Sequence, residues 1–314
     1  MIDGPQLAES KAIHRRTGTT FYLATRLLPK RVRHATYVLY AFFRVADEIV
    51  DDPNGPPPDA QREQLDALRA AAFGGDTDNS VLAAFSELRQ RYEIPDSTVT
   101  EFVDAMATDI TKDSYADHAE LDEYMGGSAA AVGEMMTAVM QPDDPETARP
   151  HARALGEAFQ LTNFLRDVRE DVVERDRIYL PRTVLAEHDV TEEQVRHFAM
   201  DRHFAGLMAS ELERTEGRYR EGVAGIKYLP QDCQFPVLLA AVLYADHHRL
   251  IRERGYDVLS ATPELTTARK LSLLARTRWH WMWNKDPEAV FTKVSTISQA
   301  PTHHHGPEGA TPMH

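Results

Sequence analysis

An all-α fold is predicted for this 314-residue chain on three observations. Apolar residues recur at three- and four-residue spacing along almost every long segment, alanine and leucine are frequent, and no stretch alternates apolar and polar residues for long. Strands are therefore expected to be scarce or absent. The first helix is placed at 30 to 52 and is ended by the proline-rich "DDPNGPPPD" at 51 to 59. The second, 59 to 73, stops at "FGGDTDN", 73 to 79, where paired glycines and short polar residues favour a turn. Helices at 79 to 92, 96 to 111 and 117 to 140 follow, the last closed by "MQPDDPE" at 140 to 146. The period then continues through 146 to 174 and 191 to 224 until "YLPQD" at 228 to 232. Helices at 231 to 254 and 264 to 281 complete the pattern. The tail "SQAPTHHHGPEGATPMH", 298 to 314, is polar and rich in proline, glycine and histidine, and is expected to be disordered.

With 42% hydrophobic residues the chain can bury a large core, in one domain or two smaller ones, and none of the breakers is long enough for a domain linker. The single cysteine, Cys233, excludes a disulfide framework and a cysteine-based zinc site. The start lacks a basic-then-apolar signal, and the longest greasy run, "FPVLLAAVLYA" at 235 to 245, is about half of the stretch a membrane crossing needs. A cytoplasmic protein is expected, free to sit on a membrane surface. A formal net charge of -14 repels nucleic acid. Only seven basic residues are lysine (11, 30, 112, 227, 270, 285 and 293), which suits either a salty cytoplasm or a GC-rich genome.

Two constellations carry chemistry. In "FFRVADEIVDD", 42 to 52, Asp47 and Asp51 are four apart, so on a helix their carboxylates lie about 40° apart on one face, with Arg44 and Tyr40 each a turn earlier. An intrahelical salt bridge and a site for a polyanion with its metal both fit this pattern. Asp109 and Asp113 repeat the spacing, which shows how ordinary it is taken alone. The second constellation, in "GEAFQLTNFLRDVREDVVERDRIYLP" at 156 to 181, aligns Gln160, Asn163, Asp167 and Asp171 in one polar stripe between apolar neighbours. Such short amide and carboxylate side chains suit a metal or an anion better than a solvated face. Two carboxylate pairs on separate helices point to a cavity between them. Magnesium would sit between the pairs and be shared with a phosphorylated ligand, whose other oxygens Arg44, Arg166 and Arg177 are placed to hold.

The segments "LYAFFRVADEIVDD" and "QLTNFLRDVREDVVERDRIYLP" resemble the two aspartate-rich motifs of the squalene and phytoene synthase family, the head-to-head isoprenyl diphosphate synthases. The resemblance extends to "TTFYLATRLLP" (19 to 29), "FVDAMATDI" with "SYADHAELDEYMGGSAAAVGEMM" (102 to 136) and "YADHHRLIRERGYDVLS" (244 to 260), and so to nearly the whole chain except the tail. It implies an isoprenoid synthase fold, one helical domain over 1 to 297 around a deep central cavity. It further implies magnesium, with manganese as a possible substitute, on Asp47, Asp51, Asp167 and Asp171, and diphosphate contacts from Arg44, Arg166 and Arg177. Phe21, Tyr40, Tyr124, Tyr179 and Tyr244 match family residues near the substrates, and Gln160 and Asn163 match the polar stripe beside the second pair. Ordinary core packing is the alternative for each aromatic residue. The resemblance is strongest to phytoene synthases, which implies two geranylgeranyl diphosphates as substrates, no NADPH, peripheral membrane association and possible carotenoid-pathway partners. Squalene or dehydrosqualene synthesis from two farnesyl diphosphates is the runner-up, ahead of a terpene cyclase or an inactive scaffold.

The chain departs from the family pattern in three places. The opening motif reads Gly18, Thr19, Thr20, Phe21, so that Thr20 keeps a hydroxyl for diphosphate while Thr19 supplies no lysine charge. Ala130 replaces a usual glycine, with Gly126, Gly127 and Gly133 left to permit close helix approach. One extra residue separates Asp171 from Arg177, which leaves open whether Arg177 meets diphosphate or shapes the loop.

Overall fold

Helix ends are fixed by local chemistry throughout the computed structural model, which describes residues 23–52 and 55–297. Thr20 and Phe21, the proposed opening motif, and the tail at 298 to 314 lie outside the described residues. The helices are α1 (Lys30–Asp51), α2 (Pro58–Ala72), α3 (Ser80–Arg91), α4 (Asp96–Thr108), α5 (His118–Met125), α6 (Ala131–Met140) and α7 (Pro145–Arg166). They continue as α8 (Val168–Arg175), α9 (Arg182–Glu187), α10 (Glu192–Arg196), α11 (Arg202–Ala224), α12 (Gln231–Glu253), α13 (Thr267–Trp283) and α14 (Pro287–Val294). Prolines begin several of them, where a missing N–H costs nothing. Asn79, Asp117, Asp144, Thr191, Asp201, Thr266 and Asp286 cap others by accepting from otherwise unpaired N–H groups. Among the described residues there is no strand, only a single parallel bridge between Ser114 and Ile178.

Four expectations need correction. The helix expected over 117 to 140 widens into a π-helical turn at Gly126–Ala130 between α5 and α6, where two glycines and three small residues let the backbone loosen. The helix expected over 146 to 174 leaves helical geometry at Asp167 (φ -101, ψ 16) and resumes as α8. Asp167 donates its N–H to the Asn163 carbonyl at 2.8 Å and accepts from Asp171 N–H at 2.8 Å, so the chain keeps its course through the break. The expected 191 to 224 helix is two, separated where Phe198 turns to φ 55 and Asp201 caps a new start. Helices α9 and α14 were not expected at all; both are short, and their apolar sides are legible only against the elements they cover.

The core has three parts. The first joins α1 through α6, with Phe42 stacked on Phe85 at 3.7 Å. That contact makes Phe42 a core residue. The second gathers α7, α11, α12, α13 and α14, and the third packs the loop and helices at 178 to 200 beneath α11 and α12. Helix α7 runs through the middle, against α6 on one side and α11 and α12 on the others. Two glycines set its distance from α6 and from the π-helical turn. A Cβ at Gly133 would stand 2.3 Å from the Ala152 carbonyl oxygen, and Gly156 meets the Ala129 carbonyl similarly at 2.4 Å. Gly127 lies as close to the Glu101 carbonyl, whereas Gly126 has nothing nearer than 3.7 Å, so close approach does not account for Gly126. Ala130 fits fully buried. No helix among the described residues is long and apolar enough to cross a membrane.

Candidate active site

Helices α1 and α7 bring the two acidic motifs face to face. Arg175, at the end of α8, joins them: its Nε donates to Asp51 Oδ2 at 3.3 Å and its Nη1 to Asp171 Oδ1 at 3.1 Å. Arg177 reaches the same Asp51 through Nη1 at 3.2 Å and lies 3.7 Å from Asp109 Oδ1, while its Nη2 donates to the Asp109 carbonyl. Asp176 makes this double reach possible by adopting the left-handed conformation (φ 53) that caps α8, after which Arg177 N–H bonds to the Asp171 carbonyl at 3.1 Å. The left-handed turn at Asp176 thus aims the arginines on either side of it back at Asp51. Arg44 pairs with Asp47 at 3.1 Å, and Arg166 grips its neighbour Asp167 with Nε at 2.6 Å.

The segment 113 to 116 is laced to 178 to 183: Ile178 N–H donates to the Asp113 carbonyl, Arg182 N–H to Tyr115 and Thr183 N–H to Ala116. This lacing holds Asp109, Arg177 and Tyr179 beside Asp51. Tyr124 donates its hydroxyl to Asp109 Oδ2 at 2.9 Å. Tyr179 lies flat on Phe164 at 3.8 Å, with Tyr115 and Tyr124 stacked outward from it at 5.8 and 6.2 Å. The hydroxyl of Tyr115 is buried without a hydrogen-bond partner.

Electrostatically the site is short of positive charge for its carboxylates. Burial pushes Asp171 up to about 7 against the pull of Arg175, with Asp167 and Glu170 adding to the rise. Asp47 is raised by burial to about 6, opposed mainly by Arg44, and Asp109 to about 7, opposed mainly by Arg177. One buried oxygen, Asp109 Oδ1, has no hydrogen bond. All four motif aspartates remain reachable, from 11% exposure of the Asp171 side chain to 33% for Asp47. Among the described residues no three acidic, histidine or cysteine side chains converge on one point as a ready metal cage. The donor set is nonetheless all oxygen and under-neutralised, which fits a hard divalent cation shared with a ligand better than one held by protein alone.

Below this polar end lies an apolar cavity holding about 780 Å³ of non-atom space, its open mouth included. Its wall on α7 is Ala148, Ala152, Leu155, Gly156 and Phe159, with His151 as the one polar side chain that this helix contributes. The same face continues upward as Gln160, Asn163, Asp167 and Asp171, so one side of one helix path changes from apolar to polar between Phe159 and Gln160. On α12 the lining residues Pro236, Val237 and Ala240 lead one turn on to Tyr244, which stacks on Phe159 at 4.5 Å. Burial raises the Tyr244 phenol to about 12, with Arg166 opposing and Tyr40 and Asp167 adding. That places Tyr40, Arg166, Asp167 and Tyr244 in one electrostatic neighbourhood.

The structure therefore brings together Asp47, Asp51, Asp171, Arg44 and Arg177, and beside them Asp167, Arg166, Tyr40 and Tyr244. It places Tyr124 and Tyr179 in the stack around Asp109, apart from the apolar cavity, among whose lining residues Phe159 is the one phenyl or phenol ring. Asp109 and Arg175 were missed. Asp109 served only as an example of ordinary spacing, because its partners are 15 and 68 residues away. The "ERDR" at 174 to 177, two arginines straddling a turn-prone aspartate, was the available signal for Arg175.

Comparison with known proteins bears on these features. The squalene/phytoene synthase family matches residues 14–273. The chain is 30% identical over 282 residues to a 15-cis-phytoene synthase of Synechococcus elongatus, covering 85% of this chain and 90% of that one. It is 34% identical over 260 residues to a phytoene synthase of Thermus thermophilus, covering 82% and 87%. Among solved structures it is similar to a dehydrosqualene synthase in complex with ligand, with a TM-score of 0.81, 25% identity, and coverage of 89% of this chain and 98% of the other. A squalene synthase, HpnC, from Alicyclobacillus acidocaldarius shares the fold at a TM-score of 0.72 and 22% identity, over 81% of this chain and 95% of that one. With its facing aspartate motifs and its all-α architecture, the chain belongs to the squalene/phytoene synthase family.

Proposed function

We propose that this protein is a phytoene synthase that condenses two geranylgeranyl diphosphates head to head with release of diphosphate. The observation that carries the reading is the change of character along one face of α7: an apolar cavity up to Phe159, then an oxygen-rich site tied to α1 by Arg175 and Arg177. A substrate with a hydrocarbon tail and a diphosphate head has the same two-part character. Relatives bearing the name phytoene synthase, at 30 to 34% identity over most of the chain, support this choice within the family.

Asp47, Asp51, Asp167 and Asp171 would hold magnesium, with manganese as a substitute, and when bound it supplies Lewis-acid stabilisation of the departing diphosphate. Arg44, Arg166, Arg175 and Arg177 already face carboxylates, and each can exchange a carboxylate oxygen for a diphosphate oxygen at little cost in geometry. When the first substrate's C–O bond breaks, its electron pair leaves with diphosphate and an allylic cation remains. The second substrate's double bond attacks it and the resulting cation loses a proton as the three-membered ring closes, giving a cyclopropylcarbinyl diphosphate; this releases the second diphosphate in turn, and the new cation rearranges and loses a second proton. The apolar walls at Leu155, Phe159, Val237 and Ala240 keep water from the cation. Tyr244 and Phe159 offer ring faces that stabilise positive charge without capturing it.

The test is product identity. Purified protein given geranylgeranyl diphosphate, magnesium and detergent, without NADPH, is expected to yield phytoene; squalene or dehydrosqualene from farnesyl diphosphate as the preferred reaction would overturn the chain-length assignment. Similarity to a dehydrosqualene synthase structure makes that the second reading. We place the protein in the cytoplasm, peripherally on a membrane, since its substrate and product both partition there, and pathway enzymes acting on phytoene would be its neighbours.

A further inference from the structure

Helix α13 has an outer face that the catalytic reading does not use. Of the large hydrophobic side chains most exposed among the described residues, four belong to this one helix: Leu271, Trp279, Met282 and Trp283, with Trp279 60% and Trp283 75% exposed. At about 100° per residue, these and Ala275 fall within an arc of about 120°. Leu273, Thr277 and Trp281 are buried on the opposite side. Arg278 borders the apolar arc on one edge and Arg276 on the other. Trp279 and Trp283 meet edge to face at 6.2 Å.

Charge separates this helix from the rest of the molecule. Thr267–Trp283 contains Arg269, Lys270, Arg276 and Arg278 and no carboxylate, in a chain whose net charge is -14. Arg269 is committed to Asp246 at 2.6 Å, and Arg278 covers the Phe235 ring at 5.6 Å. Arg276 is exposed, and beyond the helix Lys285 lies 5.1 Å over the Trp281 ring. The nearby acids Glu264 and Asp286 sit beyond the two ends of the helix, the latter capping α14. Tryptophans interleaved with arginines on one exposed helical arc match the boundary between water and lipid, where indole rings settle at headgroup depth and cations meet phosphate.

We propose that the outer face of α13 docks the protein on an anionic lipid surface. This deepens the peripheral membrane placement made above and rests on it. The position is also suited to delivery of a hydrocarbon. Buried Trp281 packs on Phe235 at 6.2 Å, and the next two residues of α12, Pro236 and Val237, line the apolar cavity. The docking helix is therefore one side-chain layer from the cavity wall.

The three tryptophans of the chain are all in α13, so tryptophan emission, excited selectively over that of the tyrosines, reports on this helix alone. The full chain should float with vesicles of phosphatidylcholine mixed with phosphatidylglycerol, with a blue shift in emission, and bind pure phosphatidylcholine more weakly. Combining Trp279→Ser with Trp283→Ser should lower the partition coefficient tenfold or more, and Arg276→Glu should lower it on the anionic vesicles only. Both variants alter exposed side chains and should keep the circular dichroism and the detergent-assayed turnover of the parent. Undiminished flotation of the double variant, equal binding to both vesicle types, or no flotation of the parent would each overturn the proposal. So would self-association of the parent that the double variant abolishes, because the face would then belong to a second copy. Product identity is read in detergent, so a failed docking assay leaves the synthase assignment standing on its own test.

Discussion

Asp171 shows what burial does to a carboxylate that awaits a partner. Its pKa is raised to about 7, so near neutrality the folded protein holds its charge at a cost that Arg175 only partly offsets. Asp171→Asn should therefore leave the melting temperature equal or raised while lowering turnover by at least about a hundredfold, a loss of roughly 3 kcal/mol in the transition state. Unchanged turnover in the folded variant would remove Asp171 from the site. His247 behaves in the opposite sense. Burial and the nearby Arg166 lower it to about 3, so the folded state keeps it neutral while the unfolded chain, near 6.5, takes up a proton. As pH falls below about 6.5 this residue alone removes stability at up to roughly 1.4 kcal/mol per pH unit, until its folded pKa is reached. The raised carboxylates Asp47, Asp109 and Asp171 work against that loss, since they regain stability as pH falls from about 7 toward 4. Denaturant melts of the parent against His247→Gln between pH 7 and 5 isolate the histidine, and the variant should have the flatter acid limb. Asp47 with Asp51 and Asp167 with Asp171 were legible as two same-face pairs on separate helices, since four-residue spacing is all that one helical face requires and the second pair set the first apart from the lone pair Asp109 and Asp113. Arg175 and Asp109 were not, because their role depends on contacts 124 and 68 residues distant.

At the scale of elements, most helices were readable from period and breakers, and of the discrepancies only the break at Asp167 falls in the proposed site. The break at Asp167 and the π-helical turn at Gly126–Ala130 keep the hydrophobic period nearly intact, so a pattern of three and four cannot reveal them. Each is decided by what packs alongside. Glycine provides a direct comparison, because Gly133 faces the Ala152 carbonyl at 2.3 Å whereas Gly217, inside α11, has nothing within 4 Å. Gly133→Ala should destabilise by about 1–3 kcal/mol by forcing α6 and α7 apart. Gly217→Ala should stabilise by roughly 0.5–1 kcal/mol through helix propensity alone. Urea denaturation of both variants checks the pair, and equal effects would mean that the α6–α7 approach is softer than its geometry.

For the whole molecule, two motifs about 120 residues apart form one site only when α1 and α7–α8 are both folded and packed. Binding there should consequently stabilise the entire chain. Magnesium together with inorganic diphosphate is expected to raise the melting temperature more than the sum of the two alone, by the equivalent of about 2.7 kcal/mol when the free ligand is a hundred times its dissociation constant. Asp47→Asn should abolish the excess over the sum; a merely additive effect would separate the metal from the diphosphate. The sequence by itself determined the helical class, the helical faces that carry aspartate, and the absence of a transmembrane run, because periodicity and composition are properties of local chain. Tertiary structure alone decided that Arg175 and Arg177 tie the motifs together, that Tyr124 and Tyr179 stack around Asp109, and that the tryptophan side of α13 is left exposed. The physical reason is common to all three: a helix repeats its faces by its own geometry, but which face meets which is settled by close packing and charge pairing between residues far apart in the chain.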